Sequence, residues 1–118
     1  MAETMQGMKR SCYCGEVSTA DIGKEIVVGG FTQKQRDKGE LVFIDLRDRT
    51  GIVQLIFDEK SDRNVIAKAK EVRSEYVLMA RGTVRRRESV NPDIPTGEVE
   101  IFVTELRILS KAQTPPFH

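Results

Sequence analysis

The stretch Phe43-Ile44-Asp45-Leu46-Arg47-Asp48-Arg49-Thr50-Gly51-Ile52-Val53-Gln54-Leu55-Ile56-Phe57 does most to restrict what this chain can fold into. Apolar side chains recur at every second position on either side of Asp48-Arg49-Thr50-Gly51, which has the composition of a turn. Two period-two runs joined by a short Gly-containing link predict a β-hairpin with one buried face. Val42, Ile44 and Leu46 share one side of the first strand, so that side is the core; Phe43, Asp45 and Arg47 take the other. In the second strand Val53, Leu55 and Phe57 point inward, and Gln54 and Ile56 lie on the same sheet face as Phe43. An aromatic on the polar side of a hairpin has readings that the pattern leaves open: a platform for an unstacked nucleic-acid base, or else an inverted parity or a ring covered by a loop.

Around this hairpin the chain continues in the same manner. Ile26 to Phe31 predicts a first strand, which runs into the polar stretch Gln33 to Lys38 and a turn at Gly39. Leu41 to Arg47 is the second strand and Ile52 to Asp58 the third. Ser61 has the character of a helix N-cap, followed by Val65, Ile66, Ala69 and Val72 at helical spacing. Tyr76 to about Arg87 predicts a fourth strand, with Leu78, Ala80, Gly82 and Val84 on one side. Asn91 to Gly97 is a loop by composition, and Glu98 to about Leu109 a fifth strand with Val99, Ile101 and Val103 inward. Met1 to Lys9 is polar and tail-like, and Thr114 to His118 has linker composition. The expected layout is a loose N-terminal tail over 1–12, one domain over 13–110 and a linker over 111–118.

Five strands with one helix between the third and fourth is the element order of the OB-fold, a five-stranded Greek-key barrel, all-β apart from that helix. Such barrels bind oligonucleotides or oligosaccharides on strands 2 and 3 and on flanking loops. The fold by itself carries no function. A chain of 118 residues, 39% hydrophobic and 31% charged, suits one modest domain rather than a disordered segment. No apolar run approaches the roughly 18 residues of a membrane helix, and the first residues lack the apolar core of a secretory signal. Cys12 and Cys14 are separated by one residue and accompany a single histidine, His118. Structural zinc needs four ligands, with paired cysteines commonly about two to four residues apart, so no metal site is expected. Reduced cysteines and a cytoplasmic location are the plain expectation. Nucleotide-cradling glycine loops and hydrolase motifs are absent, which argues against catalysis within these residues.

The net charge of +1 is uninformative, but its distribution is not. Lys34, Arg36 and Lys38 fall in the expected connection between strands 1 and 2, and Arg85-Arg86-Arg87 ends strand 4. Either group could track phosphates or donate to base edges, or be a solvated surface. Glu100, pointing outward, could accept from base N–H groups or pair with a nearby cation. Asn91, before Pro92, suits a turn or a base contact.

These residues together resemble a known family. Phe43 to Asp58 is similar to the strand 2–turn–strand 3 segment of bacterial-type aspartyl-tRNA synthetases. So are Gly30-Phe31, Arg36-Asp37, Gly82-Thr83-Val84-Arg85 and the run from Asn91-Pro92 to Gly97-Glu98-Val99-Glu100. Thr114-Pro115-Pro116-Phe117 resembles that family's lead into its hinge, and the likeness covers nearly the whole chain from Tyr13 onward. The resemblance implies an N-terminal anticodon-binding domain in which Phe43 stacks on the middle anticodon base. It places Arg36, Gln54, Arg87, Asn91 and Glu100 in the recognition set. Lys34 stands where the family often has Arg, which keeps the charge but loses the planar fork. Phe31 stands where it usually has Trp. Lys38 and Val90 occupy variable positions that bear on discrimination between tRNA-Asp and tRNA-Asn.

The resemblance further implies that the chain is a portion of a longer ligase joining aspartate to tRNA with ATP and Mg2+, a homodimer, whose catalytic motifs are not among these residues. The portion itself would need no cofactor and would bind the anticodon loop of tRNA-Asp, with tRNA-Asn an open second partner. The alternative is a free-standing OB-fold protein that binds single-stranded nucleic acid; a purely structural barrel is a third class.

Overall fold

The computed structural model describes residues 7–111, so the linker expected over Thr114 to His118 and residues 1–6 of the expected tail lie outside the described residues. The strands are β1 (Glu25–Asp37), β2 (Val42–Asp48), β3 (Gly51–Phe57), β4 (Val77–Arg86) and β5 (Val99–Ser110), with helix α1 (Arg63–Glu71) between β3 and β4. They close into a barrel in the order β1-β2-β3-β5-β4. All neighbouring pairs are antiparallel except β3 with β5. This is the expected five-stranded architecture, with its helix in the expected place.

The expected hairpin forms in register, Phe43 opposite Ile56 and Asp45 opposite Gln54. Ile44, Leu46, Leu55 and Phe57 fill the barrel with Leu78 and Ile101, all fully buried. Each such side chain contributes about 1.5–3 kcal/mol on transfer from water. Gly51, at φ 148°, closes the β2–β3 turn in a backbone region that side chains rarely adopt.

β1 is longer than its apolar run. Residues 25–31 pair with β4, and Phe31 to Asp37 pair with β2, with an irregularity in register between Thr32 and Lys34. One strand serves two neighbours by bending there, as a bulge permits. Lys34 and Arg36 therefore sit on β1, not in a loop as expected, because their neighbour is supplied by β2. The helix cap also differs. Asp62, not Ser61, accepts from the helix, at 2.8 Å from the Asn64 amide. Ser61 is occupied by the turn after β3, where its hydroxyl accepts the Asp58 N–H at 2.9 Å.

The segment before β1 is docked from Gly7 onward. Met8 is buried against Val27 and Met79 on the outside of the barrel, and the amides of Ser11 and Cys12 donate to the Val27 carbonyl. Asp48 ties this segment to the hairpin by accepting from the Cys14 amide at 2.7 Å and from the Thr50 amide and hydroxyl at 2.8 and 2.6 Å. These bonds outweigh the effect of burial and hold the Asp48 carboxyl below its ordinary pKa. Cys14 is buried, and burial, followed by the charge of Asp48, pushes its thiol up.

Candidate nucleic-acid interface

On the outer face of β2 and β3 lies an open groove of about 1110 Å³. Its rims are the β1–β2 turn at Glu40 and Leu41, the turn after β3 at Asp58 to Lys60, and the β4–β5 connection from Arg87 to Ile94. Phe43 lines it, half-buried, with the Arg36 guanidinium 5.5 Å from its ring centroid. The ring is neither sealed under a loop nor wholly free.

Sequence parity gave the correct side for Gln54, Ile56 and Glu100 but the wrong exposure. They face outward from the barrel, yet are only 4%, 6% and 5% exposed. They form the floor of the groove, because the bend of β1 brings Arg36 over β2 and because β5 runs beside β3 with Glu100 directly opposite Gln54.

A continuous chain of polar side chains crosses this floor. Arg36 forks onto Asp45, Nη1 to Oδ2 at 3.1 Å and Nη2 to Oδ1 at 3.2 Å, and Nη2 also donates to Gln54 Oε1 at 3.2 Å. Gln54 Nε2 donates to Glu100 Oε1 at 3.0 Å. Arg85 Nε donates to Glu100 Oε2 at 2.9 Å, and its Nη2 to Asp58 Oδ2 at 3.2 Å. Arg85 also lies 5.0 Å from the Phe102 ring centroid. Asp45, Gln54, Glu100 and Arg85 are successive partners across β2, β3, β5 and β4. For Arg85, burial works against the charge; the hydrogen bonds and charges of Glu100 and Asp58 outweigh it, so its pKa lies above the ordinary value.

The β4–β5 connection supplies the remaining side chains. Asn91 Oδ1 accepts the Asp93 amide at 3.0 Å, a turn bond, while its backbone N–H donates to Gly97. A Cβ at Gly97 would overlap the Asn91 carbonyl, so glycine is required for the close approach. Thr96 anchors the connection by donating to the Ile52 carbonyl. The turn role that its sequence allowed is therefore filled by the Asn91 oxygen, and its amide nitrogen, with no partner among the described residues, belongs to a side chain that lines the groove. Arg87 lines the groove with no side-chain partner among the described residues.

Of the residues expected to form the site, Phe43, Arg36, Gln54, Arg87, Asn91 and Glu100 meet in this groove. Lys34 and Phe31 do not line it. Lys34 is exposed, opposite Asp45 in register; Phe31 is half-buried between Arg47 and Val77. Asp45 and Asp58, which complete the polar chain, were not among the expected site residues; Arg85, expected with Arg86 and Arg87 as a contact to phosphates or base edges or as a solvated surface, is paired with Glu100 and Asp58. The parity that Asp45 shares with Phe43, Asp58 with Gln54 and Ile56, and Arg85 with Arg87, was the available signal. Five basic and six acidic side chains line the groove, so it is no cationic channel. Among the described residues, no group of His, Cys, Asp and Glu could hold a metal ion, and no helix is long and apolar enough to cross a membrane.

The family described as OB-fold nucleic acid binding domain, of the tRNA anticodon type, matches residues 14–109, and the chain belongs to it. The chain is 55% identical over 119 residues to an aspartate–tRNA(Asp/Asn) ligase of Caldanaerobacter subterraneus subsp. tengcongensis, covering 99% of this chain and 20% of that one. It is 53% identical over 120 residues to an aspartate–tRNA ligase of Ruminiclostridium cellulolyticum, covering 100% and 20%. The chain thus spans about a fifth of the length of these curated relatives. Among solved structures, an asparaginyl-tRNA synthetase from Pyrococcus horikoshii complexed with asparaginyl-adenylate is similar at TM-score 0.75 and 26% identity, over 92% of this chain and 24% of that one. A protein titled OBody AM2EP06, bound to hen egg-white lysozyme, is similar at TM-score 0.79 and 28% identity, over 88% and 96%.

Proposed function

We propose that this chain is the N-terminal anticodon-binding domain of a bacterial-type aspartate–tRNA ligase. The observation that carries the reading is the convergence of Phe43, Arg36, Gln54, Arg87, Asn91 and Glu100 on one groove. An anticodon loop splays its bases, and a groove with one aromatic and several fixed donors and acceptors suits splayed bases. Phe43 offers the stacking surface. Gln54, Glu100 and the Asn91 amide select base edges, while Arg87, with no acidic partner among the described residues, and Lys34 outside the groove contact phosphates.

The longer protein would attach aspartate to tRNA with ATP and Mg2+ as a cytoplasmic homodimer, and this domain would raise its specificity by holding the tRNA for a distant active site. Both relatives named for tRNA(Asp/Asn) and relatives named for aspartate–tRNA alone match at similar identity, so tRNA-Asn remains a second partner to be tested beside tRNA-Asp. A free-standing single-strand binder is not favoured, since the curated relatives reported above are tRNA ligases.

The test is titration of the chain with anticodon stem-loops carrying GUC, GUU or a scrambled loop at several salt concentrations. Preference for GUC over the scrambled loop is expected. Equal affinity for the two would sink base-specific reading.

A further inference from the structure

We infer that Asp45 and Arg85 are positioning residues that lock Gln54 and Glu100 in the one orientation able to read a base. The inference deepens the proposed function and rests on it.

The argument begins with the amide of Gln54, whose oxygen and nitrogen could exchange places by a half-turn of the side chain. Its two neighbours forbid that turn. Arg36 can only donate and an ionised Glu100 can only accept. With Oε1 toward Arg36 at 3.2 Å and Nε2 toward Glu100 at 3.0 Å, both bonds form. The flipped amide would set its oxygen against a carboxylate and its N–H groups against a guanidinium. In the observed orientation one N–H and one oxygen lone pair of Gln54 remain for a base in the groove.

That lock holds only if Arg36 and Glu100 are themselves fixed. Arg36 is held by the two-pronged fork onto Asp45, whose side chain is 23% exposed. Glu100, with a side chain 6% exposed, is neutralised by Arg85, which is pinned in turn by Asp58 and by the face of Phe102. A buried carboxylate deprived of its cation is costly and swings toward other donors, and a displaced Glu100 no longer holds the Gln54 amide in one orientation. The donor–acceptor chain thus runs from Asp45 to Asp58, and Asp45 and Arg85 are the members that fix the two groups on either side of Gln54. Because the charge of Arg85 is neutralised by Glu100 and Asp58, its role is orientation rather than phosphate contact.

The experiment compares wild type, Asp45→Asn, Arg85→Gln and Arg85→Lys for binding of the GUC and scrambled stem-loops across a salt series, with melting temperature and the side-chain amide 15N–1H signals of Gln54 recorded for each. Asp45→Asn and Arg85→Gln are expected to lower the GUC-over-scrambled ratio about tenfold, as loss of one good discriminating pair would. Scrambled-loop affinity and the salt slope should stay unchanged, and the Gln54 amide signals should move toward those of a solvated glutamine. Arg85→Lys should fail to restore the ratio, because an ammonium lacks the fork that spans Glu100 and Asp58. A flattened salt slope with both loops equally weakened would overturn the assignment in favour of phosphate contact. Full rescue by Arg85→Lys, or unmoved Gln54 signals in both variants, would also overturn it. If the wild-type chain itself fails to discriminate, the proposed function is what fails, and the NMR comparison still decides whether Asp45 and Arg85 hold Gln54.

Discussion

Replacing Phe43 by alanine separates the base platform from the fold that carries it. The ring lies on the outer face of β2, while Val42, Ile44 and Leu46 behind it supply the core. Truncation therefore leaves the barrel intact and removes two contacts. One is the cation–π contact with Arg36 at 5.5 Å, worth about 0.5–1 kcal/mol. Arg36 remains held by Asp45, so the domain should lose no more than about 5 °C in melting temperature. The other is the stack on a base, worth about 1–3 kcal/mol, which raises Kd for the GUC stem-loop about 5- to 150-fold. The salt slope should not move, because a phenyl ring releases no counterions. Fluorescence titration of a labelled stem-loop at several salt concentrations, with a thermal melt of each protein, measures all three quantities. Phe43→Leu sharpens the reading: it keeps apolar bulk without a π-face, so it should lose both the Arg36 contact and the stack and bind GUC no better than Phe43→Ala. If Phe43→Ala binds GUC as wild type does, or if Leu restores binding, the stacking argument is wrong.

Other expectations follow from single sites. Thr32 is fully buried and its hydroxyl has no hydrogen-bond partner among the described residues, so Thr32→Val should stabilise by about 1 kcal/mol and raise the urea midpoint. Asp48 is held below its ordinary pKa of 3.8, so its contribution is present above that pH and lost as pH falls through the folded value; Asp48→Asn should flatten the acid limb of a plot of urea midpoint against pH. Cys14 is shifted upward from 9.0, so its contribution is full below that pH and fades as the unfolded chain ionises above it; its thiol should resist alkylation at neutral pH until the protein is unfolded. Lys34→Ala should flatten the salt slope of RNA binding by about 0.7 without altering the preference for GUC.

The parts of this fold legible in the sequence are those set by neighbours along the chain. Alternation through Val42 to Leu46 and through Val53 to Phe57 identified the hairpin and the side on which Phe43 and Gln54 lie. The helix was legible from Val65, Ile66 and Ala69, though its cap was not, since Ser61 and Asp62 are both good caps and the choice was made by the Asp58 amide. What escaped depends on partners distant in sequence. The second half of β1 has little apolar character, and only pairing with β2 makes it a strand. Parity shows which way Glu100 points but not that Gln54 and Arg85 will cover it, because closure of the barrel through β3 and β5 joins residues 46 positions apart. Asp58 shares the side of Gln54 and Ile56, but no local pattern announces its pairing with Arg85, 27 positions away.

The charge of the groove bears on how this domain could contribute to recognition. A surface that captures RNA by charge alone is basic, tolerant of sequence and steeply weakened by salt. Here acidic side chains slightly outnumber basic ones in the groove, and Arg36 and Arg85 are neutralised by Asp45, Glu100 and Asp58. Few cations remain to bind phosphate, so the free energy of a complex must come mainly from stacking and from hydrogen bonds to base edges. The paired floor makes that dependence sharper: Gln54 and Glu100 already satisfy each other, and a loop whose base edges do not match the donor and acceptor positions left on Gln54 covers them without replacing their water, which costs more than a merely missing contact. A groove of this kind rejects wrong loops more strongly than it attracts the right one. That suits a domain whose partner is held at other places as well, and it predicts modest affinity of the chain alone, with discrimination that persists at salt concentrations where charge-driven binding has gone.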